Sequence, residues 1–423
     1  MKNPIHTAAI AALLLGALPA AQADTLKMEC NVSGPMKPYC EYVKQRFEYE
    51  TQHKLEFLEM PAASDEKLSI YQQIFAAKDG NAVDVLSVDV IWVGLLDKHL
   101  LDLTDKVKDL EPHFFPNNWK NNIVDGRIKG VPNNVDAGMM YYRKDLLEKY
   151  KEAPPKTWEE LTRIATKIQK AERDAGQKNF WGFVFQGKAY EGLGCDVLEW
   201  VASYNGGNFV DPQGNITINN PKAAKALNMA ASWVGTIAPK GVLGYQEEES
   251  RAVFQNGDAL FMRNWPYAYL LTQADSSPVK GKVGVMPIPK GGDDGLHAAT
   301  LGGWQWAVSA YSKNPDAAVK LVRILADEKT QKTKFMVTGE APARVAAYAD
   351  PDVQAKAPHL AQFKDVFANA VPRPSTPTRS QFPKVSKVMF NAGYDVLSGR
   401  STGEKAVAEV EERLKRIKGR EWK

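Results

Sequence analysis

Ten tryptophans occur in 423 residues, and several stand beside polar residues where strands are expected to end: Asp89 with Trp92, Asn264 with Trp265, and Gly302, Gly303 and Trp304 together. Sugars call for this mixture. A pyranose has an apolar C–H face that stacks on an aromatic ring, and a rim of hydroxyls that seek carboxylate, amide or guanidinium partners. Any single tryptophan is explained by core packing; the joint pattern points to a polyhydroxylated ligand.

Other chemistry is thinly represented. The histidines His6, His53, His99, His113, His297 and His359 are scattered, with no H-E-x-x-H and no pair at i, i+4. No zinc site and no cofactor are therefore expected. From Gly182 to Lys188 the spacing matches a phosphate-binding loop, but Ala189 stands where a Mg²⁺-binding Ser or Thr is required. There is no G-x-S-x-G elbow and no G-x-G-x-x-G after a strand. Tyr141 and Tyr142 allow two readings: phenolate ligands for ferric iron, or a strand Met139 to Tyr142 with one ring packed inward and the other facing a groove.

The elements that must position these residues alternate. Thr25 to Cys30, Leu55 to Glu59 and Val83 to Val88 read as strands, and Pro38 to Thr51 and Asp65 to Ala77 carry helical spacing. Alternation of this kind predicts a parallel sheet with helices on both faces. In open α/β sheets ligands bind outside the carboxyl ends of the strands, where Asp89 falls. Further along, Thr157 with Glu160 and Ser401 with Glu404 predict capping boxes at the start of two amphipathic helices.

Lys2 and His6 precede an apolar run from Ala8 to Leu18, then Pro19 and small residues at Ala21 and Ala23. This predicts a secretory signal cut after Ala23 and a periplasmic address, with no lipid attachment because Asp24 follows. An oxidising compartment permits a Cys30–Cys40 disulfide, although sequence does not establish the pairing; Cys195 is then a buried small hydrophobe. The formal net charge is only +4, with 54 basic and 50 acidic side chains and no run of five or six like charges. Nucleic-acid tails and polybasic membrane anchors are thereby excluded. The length favours more than one core, since single cores stop growing at roughly 250–300 residues.

The stretches VDVLSVDVIWVG, VDAGMMYYRKDLLEKY, NFWGFVFQGKAYEGLGCD, RNWPYAY, ADSSPVKGKVGV, AATLGGWQWAVS and FANAVPRP occur in this order along nearly the whole chain. They resemble the trehalose/maltose-binding proteins of bacterial and archaeal ABC importers. The resemblance implies an α/β, two-lobed periplasmic binding protein fold of the maltose-binding type, with a hinge and an interlobe cleft. It places one lobe at 24–132 plus 305–341 and the other at 133–304 plus 342–423. By the same resemblance, Asp89 and Asp136 are the carboxylates from the two lobes and Trp265 and Trp304 the stacking and walling rings. Gly302 and Gly303 are close-approach backbone, Arg373 is the donor to hydroxyl oxygens, and Ser64 offers a small hydroxyl. Trp92 joins them from the aromatic pattern.

Two departures from that family stand out. Met36 and Lys37 occupy the place of a usual carboxylate, and Asn134 that of a usual aromatic ring. Lys37 and Arg379, if they face the cleft, would favour a glycoside bearing an acid group. The expected activity is that of a non-enzymatic monomeric carrier delivering a sugar or glycoside to a membrane permease. A secreted glycoside hydrolase, or a carrier for a non-sugar solute such as a polyamine or ferric ion, are the rival readings.

Overall fold

The computed structural model describes residues 24–33, 36–61, 64–418 and 422, so the expected signal segment lies outside the described residues. The first sheet is built from β1 (Thr25–Glu29), β2 (Lys54–Leu58), β3 (Val85–Asp89), β6 (Val131–Pro132) and β13 (Trp304–Val308), in the order β2-β1-β3-β13-β6. A hairpin of β4 (Ile123–Val124) and β5 (Arg127–Ile128) lies just upstream of β6.

Side-chain alternation along this sheet builds two cores. Val85, Trp306 and Val308 enter one with Tyr39, Val43 and Phe47 of the helix Lys37–Thr51, while Leu86, Val88 and Ala307 enter the other with Tyr71 and Phe75 of the helix Ser64–Ala77. Period-two alternation makes this division, so burial on both faces required near-continuous apolar strands. The expected all-parallel sheet is corrected to a mixed one: β1 runs parallel to β2 and β3, but β13 is antiparallel to β3 and to β6. β6 leads out to the other half of the molecule and β13 returns from it, without the helical crossover that a parallel neighbour needs.

A second sheet has the order β11 (Val283–Met286), β8 (Met139–Arg143), β10 (Ala259–Asn264), β9 (Trp181–Val184). Its core gathers Trp158, Trp200 and Trp233 with Phe183 and Phe185. Thr157 caps the helix Trp158–Asp174 through the Glu160 amide at 3.2 Å, but the Glu160 carboxylate takes the Lys156 amide, so only half of the expected box forms. At the last helix, Gly403–Ile417, the cap is Thr402, not Ser401. The segment Gly182–Lys188 begins in β9, where a Cβ on Gly182 would sit 2.7 Å from Ala165; its glycine serves strand-on-helix packing. Tyr141 is buried and donates to the Trp265 carbonyl at 2.6 Å, and Tyr142 lies half-buried against Gly284. The strand reading of the tyrosine pair holds, and no cluster of three metal-ligating side chains occurs among the described residues.

Cys30 and Cys40 form a disulfide that ties the end of β1 to the helix Lys37–Thr51, and Cys195 is buried and free. Among the described residues no helix is long and apolar enough to cross a membrane.

The sheets are joined by a ribbon of β7 (Asp136–Ala137) and β12 (Leu301–Gly302), with Gly302 opposite Asp136. A third segment runs alongside, where the Val135 amide donates to the Ala341 carbonyl at 3.1 Å and Asn134 bridges Pro342. Gln331 holds these connections together, donating to the Asn133 carbonyl at 2.7 Å and accepting from the Ala343 amide at 2.9 Å. Gly303, at φ +111°, turns the chain from β12 into β13; a Cβ there would lie 2.6 Å from the Asn134 carbonyl oxygen. Only glycine fits that approach.

Candidate functional site

Asp89 ends β3 and pairs across the sheet with Trp304, the first residue of β13. Trp304 was expected to close the second lobe; its pairing places it with the first sheet. Asp89 is buried, accepts from the Ile91 amide at 3.2 Å and contacts an Arg373 Nη at 3.4 Å. Burial raises its pKa and the guanidinium only partly offsets that.

Arg373 lies two residues beyond Val371, which brackets β12 by accepting from the Leu301 amide at 2.8 Å and donating to the Ala299 carbonyl at 2.7 Å. Held there, Arg373 donates to Glu191 at 2.8 Å as well as to Asp89, and so ties the first sheet to the helix Glu191–Ser203. Its Nε is buried with no acceptor among the described residues.

Asp136 opens β7, half-buried, and accepts from the Asn134 side-chain amide at 2.8 Å. Burial, and then the carboxylate of Glu340, push its pKa up to about 7 against the pull of Lys334 and Asn134. Glu340 is itself paired with Lys334 at 2.6 Å, which also donates to Asn133. Trp265 stands over Gly302, whose absent side chain makes room: a Cβ would lie 3.0 Å from the indole. The indole Nε1 donates to Glu247 at 3.3 Å, and Glu247 also receives the Tyr190 hydroxyl at 2.7 Å.

Asp89, Trp304 and Arg373 therefore meet where β3 ends against β13, while Asp136 and Gly302 face each other in the ribbon with Trp265 over Gly302. Trp92 is 2% exposed and meets Trp304 edge to face at 5.5 Å, so it braces the neighbouring ring and offers no face of its own. Asn134 is likewise committed: its side-chain oxygen accepts from the Trp304 amide at 3.2 Å and its nitrogen donates to Asp136. Ser64 begins its helix, half-buried, one turn before Lys67.

Met36 packs against the first core, and Lys37 is exposed and paired with Glu41 of its own helix at 3.8 Å. Arg379 pairs with Asp125 at 3.0 Å. Both cations expected to recruit an acidic group thus stand beside carboxylates, Glu41 and Asp125.

Sequence reasoning missed Lys67, Glu191, Arg263 and Glu340. Lys67 was legible as the i+3 neighbour of Ser64 on one helical face. Arg263, two residues before Trp265, shared its face at the strand end. Nothing local marked Glu191 or Glu340.

Two sheets on either side of a three-segment hinge, with polar and aromatic groups meeting at the connections, define a two-lobed solute-binding protein. The model of the bacterial extracellular solute-binding protein family matches residues 36–332, and the chain belongs to that family. A probable ABC transporter-binding protein of Deinococcus radiodurans is 45% identical over 95% of this chain and 96% of its own. The maltodextrin-binding protein MdxE of Bacillus subtilis is 25% identical over 94% and 92%. Among solved structures, maltose-bound MalE3 of T. maritima superposes with a TM-score of 0.86 at 38% identity, covering 94% of this chain and all of that one. The protein is the extracellular solute-binding component of an ABC transporter, a carrier and not an enzyme. The hydrolase reading is thereby overturned.

Proposed function

We propose that the solute is a neutral sugar, a disaccharide or glycoside such as an α-glucoside, held in the cleft between the two lobes. The observation that carries this is the convergence of Asp89 and Trp304 from one sheet with Asp136 and Trp265 beside the other, with Arg373 bonded to Asp89 and Glu191 between them. Carboxylates accept from hydroxyls, the guanidinium donates to a ring or hydroxyl oxygen, and the indoles cover C–H faces. The names of MdxE and of the maltose-bound structure support the same class.

The lobes we assign are 24–132 plus 304–341 and 133–303 plus 342–423, Trp304 joining the first through its pairing with Asp89. Ligand bonds to both lobes then stabilise the closed state, because only a bridging solute has differential affinity for it. The loaded monomer, exported by a signal cut after Ala23 into the periplasm, delivers its cargo to the permease subunits. Isothermal titration with maltose, trehalose and maltotriose tests the reading. Binding of at least one, returned chemically intact, is expected; absence of binding by all neutral sugars, with uptake of a polyamine or ferric ion instead, overturns it.

A further inference from the structure

The helix Phe382–Leu397 divides its side chains between the two halves of the molecule. Val385, Met389 and Val396 are buried in the core of the second sheet, and a Cβ on Gly393 would lie 2.4 Å from Val197 of the helix Glu191–Ser203. Its first residue goes the other way. Phe382, 2% exposed, is buried among Leu86, Val88, Val90, Ile91 and Trp92, in a core that belongs to the first sheet. Just upstream, the Arg379 guanidinium donates to Asp125 at 3.0 Å, at the tip of the β4–β5 hairpin. That hairpin is fixed in the first half. Asp125 and Gly126 hold φ +48° and +76°, as a tight two-residue hairpin turn requires, and Val124 packs on the same core as Phe382. The Asn121 side chain, a few residues before, donates to the Val90 carbonyl at 2.7 Å.

The stretch from Arg373 to Phe382 is stiff. Pro374 and Pro377 fix two of its φ angles, and short turns at Ser375–Thr378 and Arg379–Gln381 occupy most of the rest. Arg379 stands at φ +46°, ψ −124°, a conformation that is costly for a residue with a Cβ and persists only where the surroundings hold it. They do so from both halves. Glu191 takes the Arg373 guanidinium at 2.8 Å and the Ser386 hydroxyl, which fixes the flanks of the stretch to the second half, while Phe382 and Arg379 are held by the first.

We propose that residues 373–382 form an interlobe strap anchored by Phe382, and that this anchor sets how readily the cleft opens and hence the affinity for the solute; this rests on the two-lobed, sugar-binding reading above. Opening draws the first-sheet core away from a helix whose other buried residues belong to the second, so the Phe382 ring must leave its pocket or pull the start of the helix with it. Burying one phenylalanine side chain is worth roughly ten- to a hundredfold in an equilibrium constant. A solute that bridges both lobes binds the closed state, and what is lost from the closed population is lost from apparent affinity. The half-exposed Arg379–Asp125 pair adds about threefold or less.

Calorimetric titration with maltose, trehalose and maltotriose, paired with small-angle X-ray scattering of the ligand-free protein, tests the strap. Phe382→Ala should weaken binding about ten- to a hundredfold where the ligand-free protein is open, or raise the ligand-free radius of gyration where it is closed. Phe382→Leu, which keeps most of the apolar area, should show a smaller effect of the same kind and carries the test if the alanine variant does not fold. Val396→Ala, at the far end of the same helix and buried in the second core, should lower stability and leave both readings unchanged, which separates the strap from simple loss of packing. If the Phe382 variants leave both readings unchanged, or Val396→Ala reproduces their effect, the strap is overturned. If none of the sugars binds the unaltered protein, the functional reading fails by itself, and coincident scattering curves for the unaltered protein and the Phe382 variant then overturn the strap as well.

Discussion

The two sides of the cleft present the same side-chain types under different electrostatic conditions. On the first, Asp89 is buried beside Arg373, whose guanidinium also serves Glu191. On the second, Asp136 has the neutral amide of Asn134 as its direct partner, with the carboxylate of Glu340 and, opposing it, the ammonium of Lys334 in its field. Burial raises both acids, but the unpaired one reaches about 7 while the other is restrained by a cation. The comparison teaches that the Arg373 bridge to Glu191 holds one acid in an ion pair, whereas the other has only a neutral amide in direct contact, so Asp136 is the one whose charge changes near neutral pH.

Removing the cation should break this difference most severely. Arg373→Met leaves Asp89 and Glu191 buried without their partner and is expected to cost about 3–5 kcal/mol of stability at neutral pH, read by urea denaturation. A loss under about 1 kcal/mol would show that the pairing matters little. Next in size, Asp136→Ala or Trp265→Ala should weaken sugar binding by about 1–3 kcal/mol, roughly ten- to a hundredfold, in titration calorimetry. Equal affinity in both variants would remove them from the site.

Protonation sharpens the contrast further. Hydroxyl donors favour the charged carboxylate, so sugar affinity should rise from about pH 5 to 7, by at most about tenfold per unit, and level off above. Stability runs the other way. The folded pKa of Asp136, about 7, exceeds the reference value of 3.8, so the native state holds a proton that the unfolded chain has released between these limits. Its contribution therefore falls as pH rises through that window. Glu340→Gln should move both transitions to lower pH, and titrations at several pH values in the variant and the unaltered protein check the shift. The smallest effect is expected at Arg379→Ala, where loss of the half-exposed pair with Asp125 should change stability by less than about 1 kcal/mol in thermal unfolding.

Much of the frame was legible. Strand and helix positions in the first hundred residues fall within a few residues of expectation, because apolar runs and helical spacing there agree with the final burial. The Cys30–Cys40 pair was permitted by compartment and is formed. The parallel sheet was misjudged at β13, because alternation of elements at the start of the chain says nothing of a strand that returns from residue 304. The partners of Lys37 and Arg379 differ in legibility for a similar reason: Glu41 is one helical turn away, but Asp125 lies far off in sequence.

The sequence by itself determined the residue types that a sugar-binding cleft requires, the glycines that let Trp265 and the Asn134 carbonyl come close, and the local elements that carry them. Only the tertiary structure decided which charges meet. Arg373 finds Asp89 and Glu191, Lys67 finds Glu29 and Trp304, and Asp136 is left without a cation of its own. Periodicity is a property of neighbours along the chain, whereas the ionisation of a buried group depends on whatever distant segments close over it.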